Sequence, residues 1–374
     1  MGECDAAYAE TICLFLKPVT ILIATGIYPP DIGGPATYTK FIAEEFSRAG
    51  HRVIVVTYGN STSQPAEFPV RVISRWLPKG IRHIAYSWQV FRQSRHVDII
   101  FAQDPVSAGL PACVAAFLRR TRFVLKVVGD YAWEQGVQRF GVTDLLDDFL
   151  QKSYGPRIEL LRFIERYVAR SAERVIVPSA YLASVARIWG VSPERISVIY
   201  NGVSLPKVLL SKSEARFKLG IADDKTILFS FGRDVPWKGF QMLRVIEPLI
   251  SKSFPKVELK VGEVSREERD LWFGAADVFL LNTGYEGFSH QLLEAMNAGL
   301  PIITTVAGGN KEIVRDGENA LVAGYNNMPE WESQIKRALA DNGLRNRLAA
   351  NARETSSRYT KETMIAETKE ILGV

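Results

Sequence analysis

Ala276-Asp277-Val278-Phe279-Leu280-Leu281-Asn282 runs through Thr283 into Gly284-Tyr285-Glu286-Gly287-Phe288-Ser289-His290-Gln291-Leu292-Leu293-Glu294-Ala295-Met296, and this stretch decides the architecture. Its first part is a short apolar run ending in turn residues, the pattern of a buried parallel strand entering its βα loop. Ser289 then predicts an N-cap, and the residues after it favour helix. Backbone N–H groups of Gly287, Phe288 and Ser289 would lie at the positive end of that helix dipole, where a phosphate binds well. Glu286 and Glu294, eight positions apart, have no use for a phosphate but accept hydrogen bonds from hydroxyls. A diphosphate with hydroxyls on both sides, as in a nucleotide sugar, satisfies both features. Two acids decorating a helix start, where negative charge is mildly stabilising, satisfy the acids alone.

The same alternation extends outward in both directions. Strands are predicted at 19–24, 53–57, 70–74, 99–102, 123–128 and 175–178, with a helix from Pro35 through 49 and a helical tract over 157–172. A second unit has strands at 226–232, 257–261, 278–281, 301–304 and 320–322, then helices from Trp331 onward. Such βα alternation argues for open parallel sheets with helices on both faces. A chain of 374 residues, 47% hydrophobic, exceeds one ordinary domain and fits two. We place the boundary near residue 205, giving domains over 18–204 and 205–354. A C-terminal helix over about 355–374 is expected to pack back on the first domain, and residues 1–17 read as an extension outside the fold.

A net charge of +5 on 46 basic and 41 acidic side chains is too small an excess to point to nucleic acid. Clustering says more. Arg71, Arg75, Lys79, Arg82, Arg92 and Arg95 occur with no acid before His96, interleaved with Trp76, Tyr86, Trp88 and Phe91. Segment 71–96 reads either as a peripheral contact for an anionic membrane or as a solvated face whose aromatics point into the core. Cys4, Cys13 and Cys113 show no pairing or metal-ligand spacing, which fits a reducing cytoplasm. The apolar run 11–16 is short and closed by Lys17-Pro18, unlike a signal peptide or membrane span.

Phe229-Ser230-Phe231-Gly232-Arg233-Asp234-Val235-Pro236-Trp237-Lys238-Gly239 sets two cations at the carboxyl end of the second unit's first strand, the edge where open α/β sheets bind ligands. Arg233 reads phosphate oxygens with a planar fork and Lys238 adds a point charge. Together they would stabilise charge growing on a departing nucleotide. The alternative is two surface cations in a loop.

At this point the chain resembles the retaining glycosyltransferases of family 4, which have the GT-B architecture of two facing Rossmann-like domains with an interdomain cleft. The resemblance covers nearly everything after residue 17. It rests on Gly33-Gly34, Asp104-Pro105, Val177-Pro178-Ser179, Tyr200-Asn201-Gly202-Val203, Gly232-Arg233 to Lys238-Gly239, Ala275-Ala276-Asp277-Val278, Glu286-Gly287-Phe288-Ser289 to Glu294-Ala295-Met296, Gly299-Leu300-Pro301 and Asp316-Gly317-Glu318-Asn319. It implies a hexose moved from a nucleotide-diphosphate sugar to a hydroxyl of a glycan, lipid-linked or small-molecule acceptor. Arg233, Lys238, Phe288 and Ser289 would hold the diphosphate, with Gly33 and Gly34 allowing close approach. Glu286 and Gly287 would meet the transferred sugar, Glu294 the ribose, and Val264 the nucleobase. No metal or other cofactor is implied. The cysteines point to a cytoplasmic location, and the first reading of 71–96 would add peripheral contact with the cytoplasmic membrane face.

Two departures stand out. Where the family commonly has a histidine near the transferred sugar, this chain has Val127-Val128-Gly129-Asp130-Tyr131-Ala132-Trp133-Glu134. Asp130 is the candidate catalytic replacement, or else a turn residue or helix cap. The segment between Pro248 and Asp277 is also short, leaving base recognition open. Acceptor choice is expected in loops such as the one between Tyr131 and Tyr154. A catalytically silent nucleotide-sugar binder and a sugar phosphorylase are the other functions this architecture admits. A dinucleotide oxidoreductase does not fit, because Thr25-Gly26-Ile27-Tyr28-Pro29-Pro30 lacks the G-x-G-x-x-G turn.

Overall fold

A computed structural model describes residues 18–31, 33–60, 67–204 and 210–374. The first part of the chain runs β1 (Thr20–Ala24), α1 (Gly34–Arg48), β2 (Arg52–Gly59), β3 (Val70–Ser74), α2 (Lys79–Gln93), β4 (Ile99–Ala102), α3 (Gly109–Arg119) and β5 (Arg122–Lys126). It continues through α4 (Tyr131–Arg139), α5 (Leu146–Phe149), α6 (Pro156–Ser171), β6 (Arg174–Val177), α7 (Ala180–Ile188) and β7 (Ile196–Val198). These strands form one seven-stranded parallel sheet in the order β3-β2-β1-β4-β5-β6-β7.

The second part runs α8 (Lys212–Leu219), β8 (Thr226–Phe231), α9 (Phe240–Ser253), β9 (Val257–Gly262), α10 (Arg266–Ala275), β10 (Val278–Leu281), α11 (His290–Ala298), β11 (Ile302–Thr304) and β12 (Leu321–Val322). Helices α12 (Met328–Ala340), α13 (Asn342–Ser356) and α14 (Lys361–Leu372) close the chain. The second sheet is five-stranded and parallel, ordered β12-β11-β10-β8-β9. The architecture is thus the α/β pair of Rossmann-like domains expected of GT-B.

Strands buried on both faces explain the uninterrupted apolar runs. Ile21, Val53 and Phe101 pack on one face of the first sheet, Leu22, Ile54 and Leu125 on the other. Met364, Ile365 and Leu372 of α14 lie in the first of these layers, so the last helix covers the first domain. Leu344 and Leu348 of α13 belong instead to a core layer of the second domain. The inferred boundary near 205, the extension 1–17, Cys4 and Cys13 lie outside the described residues. Cys113 is buried.

Several local expectations change. The three-residue edge strand β7 carries too few residues to show a period. The stretch from Tyr131 to Tyr154, expected as an acceptor loop, contains α4 and α5; Asp130 caps α4 by accepting the Trp133 N–H at 2.7 Å. The shortened segment still makes β9 and α10, the latter opened by a Ser265–Glu268 capping box. Segment 71–96 divides into a buried and an exposed side. Tyr86 is buried, while Trp76, Ile84 and Trp88 are 86%, 72% and 62% exposed. Among the described residues no helix is long and apolar enough to cross a membrane.

Candidate active site

The carboxyl ends of β8 and β10 bring two loops of the second domain together. Pro236–Lys238 forms a 3₁₀ turn ending at Gly239, whose φ of 55° is left-handed. Asn282 and Thr283 tie this turn down. The Asn282 amide donates to the Gly239 carbonyl at 3.0 Å, and the Thr283 hydroxyl to the Trp237 carbonyl at 3.2 Å. Lys238 is thereby held against the second loop. Its Nζ donates to Glu286 Oε1 at 2.5 Å and to Gln291 Oε1 at 2.7 Å, while Gln291 Nε2 donates to the Phe231 carbonyl. Arg233 is exposed on the same loop as Lys238.

Ser289 caps α11, accepting the Leu292 N–H at 3.3 Å, and Phe288 and Ser289 are buried. The helix therefore presents its N-terminus beside Lys238, a combination able to hold an anion. Glu294, in the second turn of α11, pairs with Arg269 of α10 at 3.0 Å. Sequence reasoning missed Arg269, because a pairing between two helices leaves no periodic signal. Val264 packs half-buried against the core of this domain.

The first domain supplies the opposing wall. A Cβ on Gly34 would stand 3.3 Å from His290 Cδ2, and one on Gly287 would stand 2.5 Å from the Val128 carbonyl oxygen, so glycine is what lets the domains touch here. Gly33 caps α1 just before it. The Ser179 hydroxyl donates to the Gly287 carbonyl at 2.6 Å, and Glu312 accepts the N–H groups of Ala180 and Tyr181 at 3.0 and 2.9 Å. Trp133 meets Trp237 and Tyr285 with ring centroids 4.8 Å apart in each case.

Electrostatics at this seam are unusual. Lys126, at the end of β5, is buried without a hydrogen-bond partner among the described residues, its Nζ 3.4 Å from the Tyr38 ring centroid; burial pulls its pKa down to about 7. His290 falls to about 4, through burial first and the Lys126 charge second, and is neutral at physiological pH. Burial lifts Glu134 to about 7, opposed by the Arg233 charge.

Asp130 and Glu134 occupy different settings on α4. Asp130 is fully enclosed, with one oxygen capping the helix and the carboxyl otherwise beside the Glu165 and Trp189 side chains. Glu134 keeps part of its surface open and feels Arg233 across the seam. The structure thus gathers Arg233, Lys238, Glu286, Gly287, Phe288, Ser289 and Gly34 around the start of α11. Asp130 sits behind the wall.

Residues 33–202 match the family described as Glycosyl transferase 4-like domain, and residues 256–355 match Glycosyl transferases group 1. A phosphatidyl-myo-inositol mannosyltransferase of Propionibacterium freudenreichii is 30% identical over 306 residues, covering 76% of this chain and 68% of the relative. The chain belongs to the group 1 glycosyltransferases. An uncharacterized glycosyltransferase of Methanocaldococcus jannaschii is 22% identical over 398 residues, 95% of this chain and 98% of that one. Among solved structures, Anabaena HepE in complex with UDP-glucose superposes with a TM-score of 0.74 at 20% identity, covering 95% of this chain and 99% of that one; it confirms the GT-B fold.

This glycosyltransferase buries two neighbouring acids, Asp130 and Glu165. Glu165 Oε2 accepts the N–H groups of Tyr131 and Ala132 at 3.1 and 3.3 Å, and its other oxygen meets Asp130. Burial pushes the pair above the usual carboxylate range, so the native protein keeps a proton that the unfolded chain releases. Stability therefore falls as pH rises from about 4 through the pair's native pKa, by up to about 1.4 kcal/mol per pH unit. Glu165→Gln preserves the acceptor and supplies a donor to Asp130. Its advantage over wild type in thermal unfolding is expected to widen between pH 5 and pH 8; a pH-independent difference would exclude the shared proton.

Proposed function

We propose that this glycosyltransferase moves a hexose from a nucleotide-diphosphate sugar to an acceptor hydroxyl, with retention of anomeric configuration. The observation that carries the reading is Lys238 bonded to Glu286 and Gln291 beside the N-terminus of α11. Arg233, Lys238 and that N-terminus neutralise the diphosphate without a metal ion. Glu286 accepts from the transferred sugar's hydroxyls and Glu294 from the ribose. The bond between the anomeric carbon and the phosphate oxygen breaks while the acceptor oxygen bonds on the same face, and the departing phosphate takes the acceptor proton. Domain contact at Gly34 and Gly287 excludes water from the reacting centre. The mannosyltransferase relative and the UDP-glucose complex of HepE support a hexose donor on a nucleotide.

The test is incubation with UDP-, GDP- and ADP-sugars in EDTA, with and without phosphate, reading nucleotide release and product anomer. Acceptor-dependent release with retained configuration supports the reading. Release only with phosphate indicates a phosphorylase, and binding without release a silent module; either overturns it.

The acceptor is proposed to be lipid-linked and the enzyme peripheral on the cytoplasmic membrane face. Trp76, Ile84 and Trp88, with Phe117 at 82% exposure on neighbouring α3, form an apolar face among Lys79, Arg92 and Arg95. Basic charge draws such a face to anionic lipid and the aromatics bury in the interface. Sedimentation with phosphatidylglycerol vesicles at low salt is expected, falling at least several-fold in Trp76→Ser/Trp88→Ser. Equal sedimentation with neutral vesicles would remove the electrostatic argument.

A further inference from the structure

We infer that Glu134 of the first domain and the Tyr285 hydroxyl of the second form a sugar-hydroxyl site across the seam, beside Gly129. The inference rests on the nucleotide-sugar reading above and adds a specificity-determining residue to it.

Gly129 lies beside both groups. A Cβ built there would lie 2.7 Å from Glu134 Oε1 and 3.3 Å from the Tyr285 hydroxyl oxygen. A side chain at this position would therefore collide with the carboxylate that occupies its space. Glu134 reaches the spot because Asp130 starts α4 one turn earlier. The Glu134 backbone N–H donates to the Asp130 carbonyl at 3.0 Å, and the first helical turn aims the side chain back over Gly129.

Both oxygens are poised for a ligand. The Tyr285 hydroxyl is buried and has no hydrogen-bond partner among the described residues, a costly state for a polar atom unless something completes it. Glu134 retains exposed surface and senses the charge of Arg233, the proposed diphosphate cation. Tyr285 immediately precedes Glu286, the sugar ligand on the other domain. A phenol donor from the second domain and a carboxyl acceptor from the first, both beside Gly129, match a sugar hydroxyl, which both donates and accepts. A phosphate would be repelled by Glu134, and an apolar group would leave both oxygens unsatisfied.

Asp130 does not fill this role, since its carboxyl is spent on capping α4 and meeting Glu165.

The experiment compares wild type, Glu134→Gln and Glu134→Ala, using the UDP-, GDP- or ADP-sugar that wild type turns over and the corresponding nucleoside diphosphate without sugar. Glu134→Ala is expected to lose about 100-fold in kcat/KM, the scale of a hydrogen bond to a charged group. Glu134→Gln, which keeps an acceptor oxygen, should lose about 10-fold. Affinity for the bare nucleoside diphosphate should stay within about 2-fold in both, and discrimination between the donor and its sugar epimers should fall. A merely structural role would weaken nucleoside diphosphate and donor together and lower the thermal midpoint without changing epimer discrimination; that result overturns the inference. Unchanged kcat/KM in both variants overturns it while leaving the nucleotide-sugar reading intact. A wild type that binds and consumes no nucleotide sugar ends both.

Discussion

Lys238→Ala is expected to lower kcat about 10³-fold, the upper range for losing one preorganised donor to developing negative charge. The side chain is 12% exposed and its partner Glu286 14%, so the charges act through a poorly screened environment. Their positions are set by backbone rather than by chance: the Gly284 N–H donates to the Trp237 carbonyl at 2.8 Å, joining the two loops. Alanine removes the cation and leaves the Glu286 carboxylate without its ammonium partner. A stability loss of about 1 to 3 kcal/mol should accompany the rate loss. The two effects separate in the double variant Lys238→Ala/Glu286→Gln, where the thermal midpoint should recover because no lone charge remains, while kcat stays low. The measurement is kcat with the identified donor beside thermal unfolding of each variant. A kcat within a few-fold of wild type would remove Lys238 from the phosphate site, and recovery of both quantities in the double variant would mean that the pair serves the fold alone.

Much of this site was legible because its chemistry is local in sequence. The strand, turn and helix from Val278 to Ala298 follow one another without a gap, so Ser289 as cap and Glu286 in the loop could be placed from hydrophobic pattern and turn residues. Lys238 was legible as a cation at a strand's carboxyl end. What stayed hidden depends on elements far apart in the chain. The Arg269 partner of Glu294 lies on α10, and only the packing of two helices brings them within reach. Lys126 lies inside the strand predicted over 123–128, and only the packing of α1 with its Tyr38 ring shows that its ammonium is covered. Glu134 was hidden for another reason. The glycine at 129 and the aromatics around it look like loop residues, and only the helical turn begun by Asp130 returns the acid to the cleft. Segment 71–96 was half legible, since alternate burial of Tyr86 and exposure of Trp88 follows from which side of α2 each residue occupies.

Trp133 tests how far the two domains depend on one another. Its ring has no exposed surface, lies 4.8 Å from both Trp237 and Tyr285, and donates its indole N–H to the Asp144 carbonyl at 2.9 Å. Two of these three partners belong to the second domain, one of them next to Lys238 and the other next to Glu286. Trp133→Ala is expected to cost about 3 to 5 kcal/mol, because the hole is too large for its neighbours to collapse into. It should also abolish turnover, since α4 would lose its anchor and Tyr285 its packing. Trp133→Phe keeps an aromatic ring and gives up the indole hydrogen bond, so a cost of about 1 to 2 kcal/mol with activity largely preserved is expected. Denaturant unfolding and kcat for both variants decide the matter. If the alanine variant unfolds within about 1 kcal/mol of wild type, the rings do not form a packed joint. If it unfolds early yet turns over normally, the joint holds the fold but not the catalytic geometry, and Lys238 and Glu286 must be positioned wholly from within the second domain.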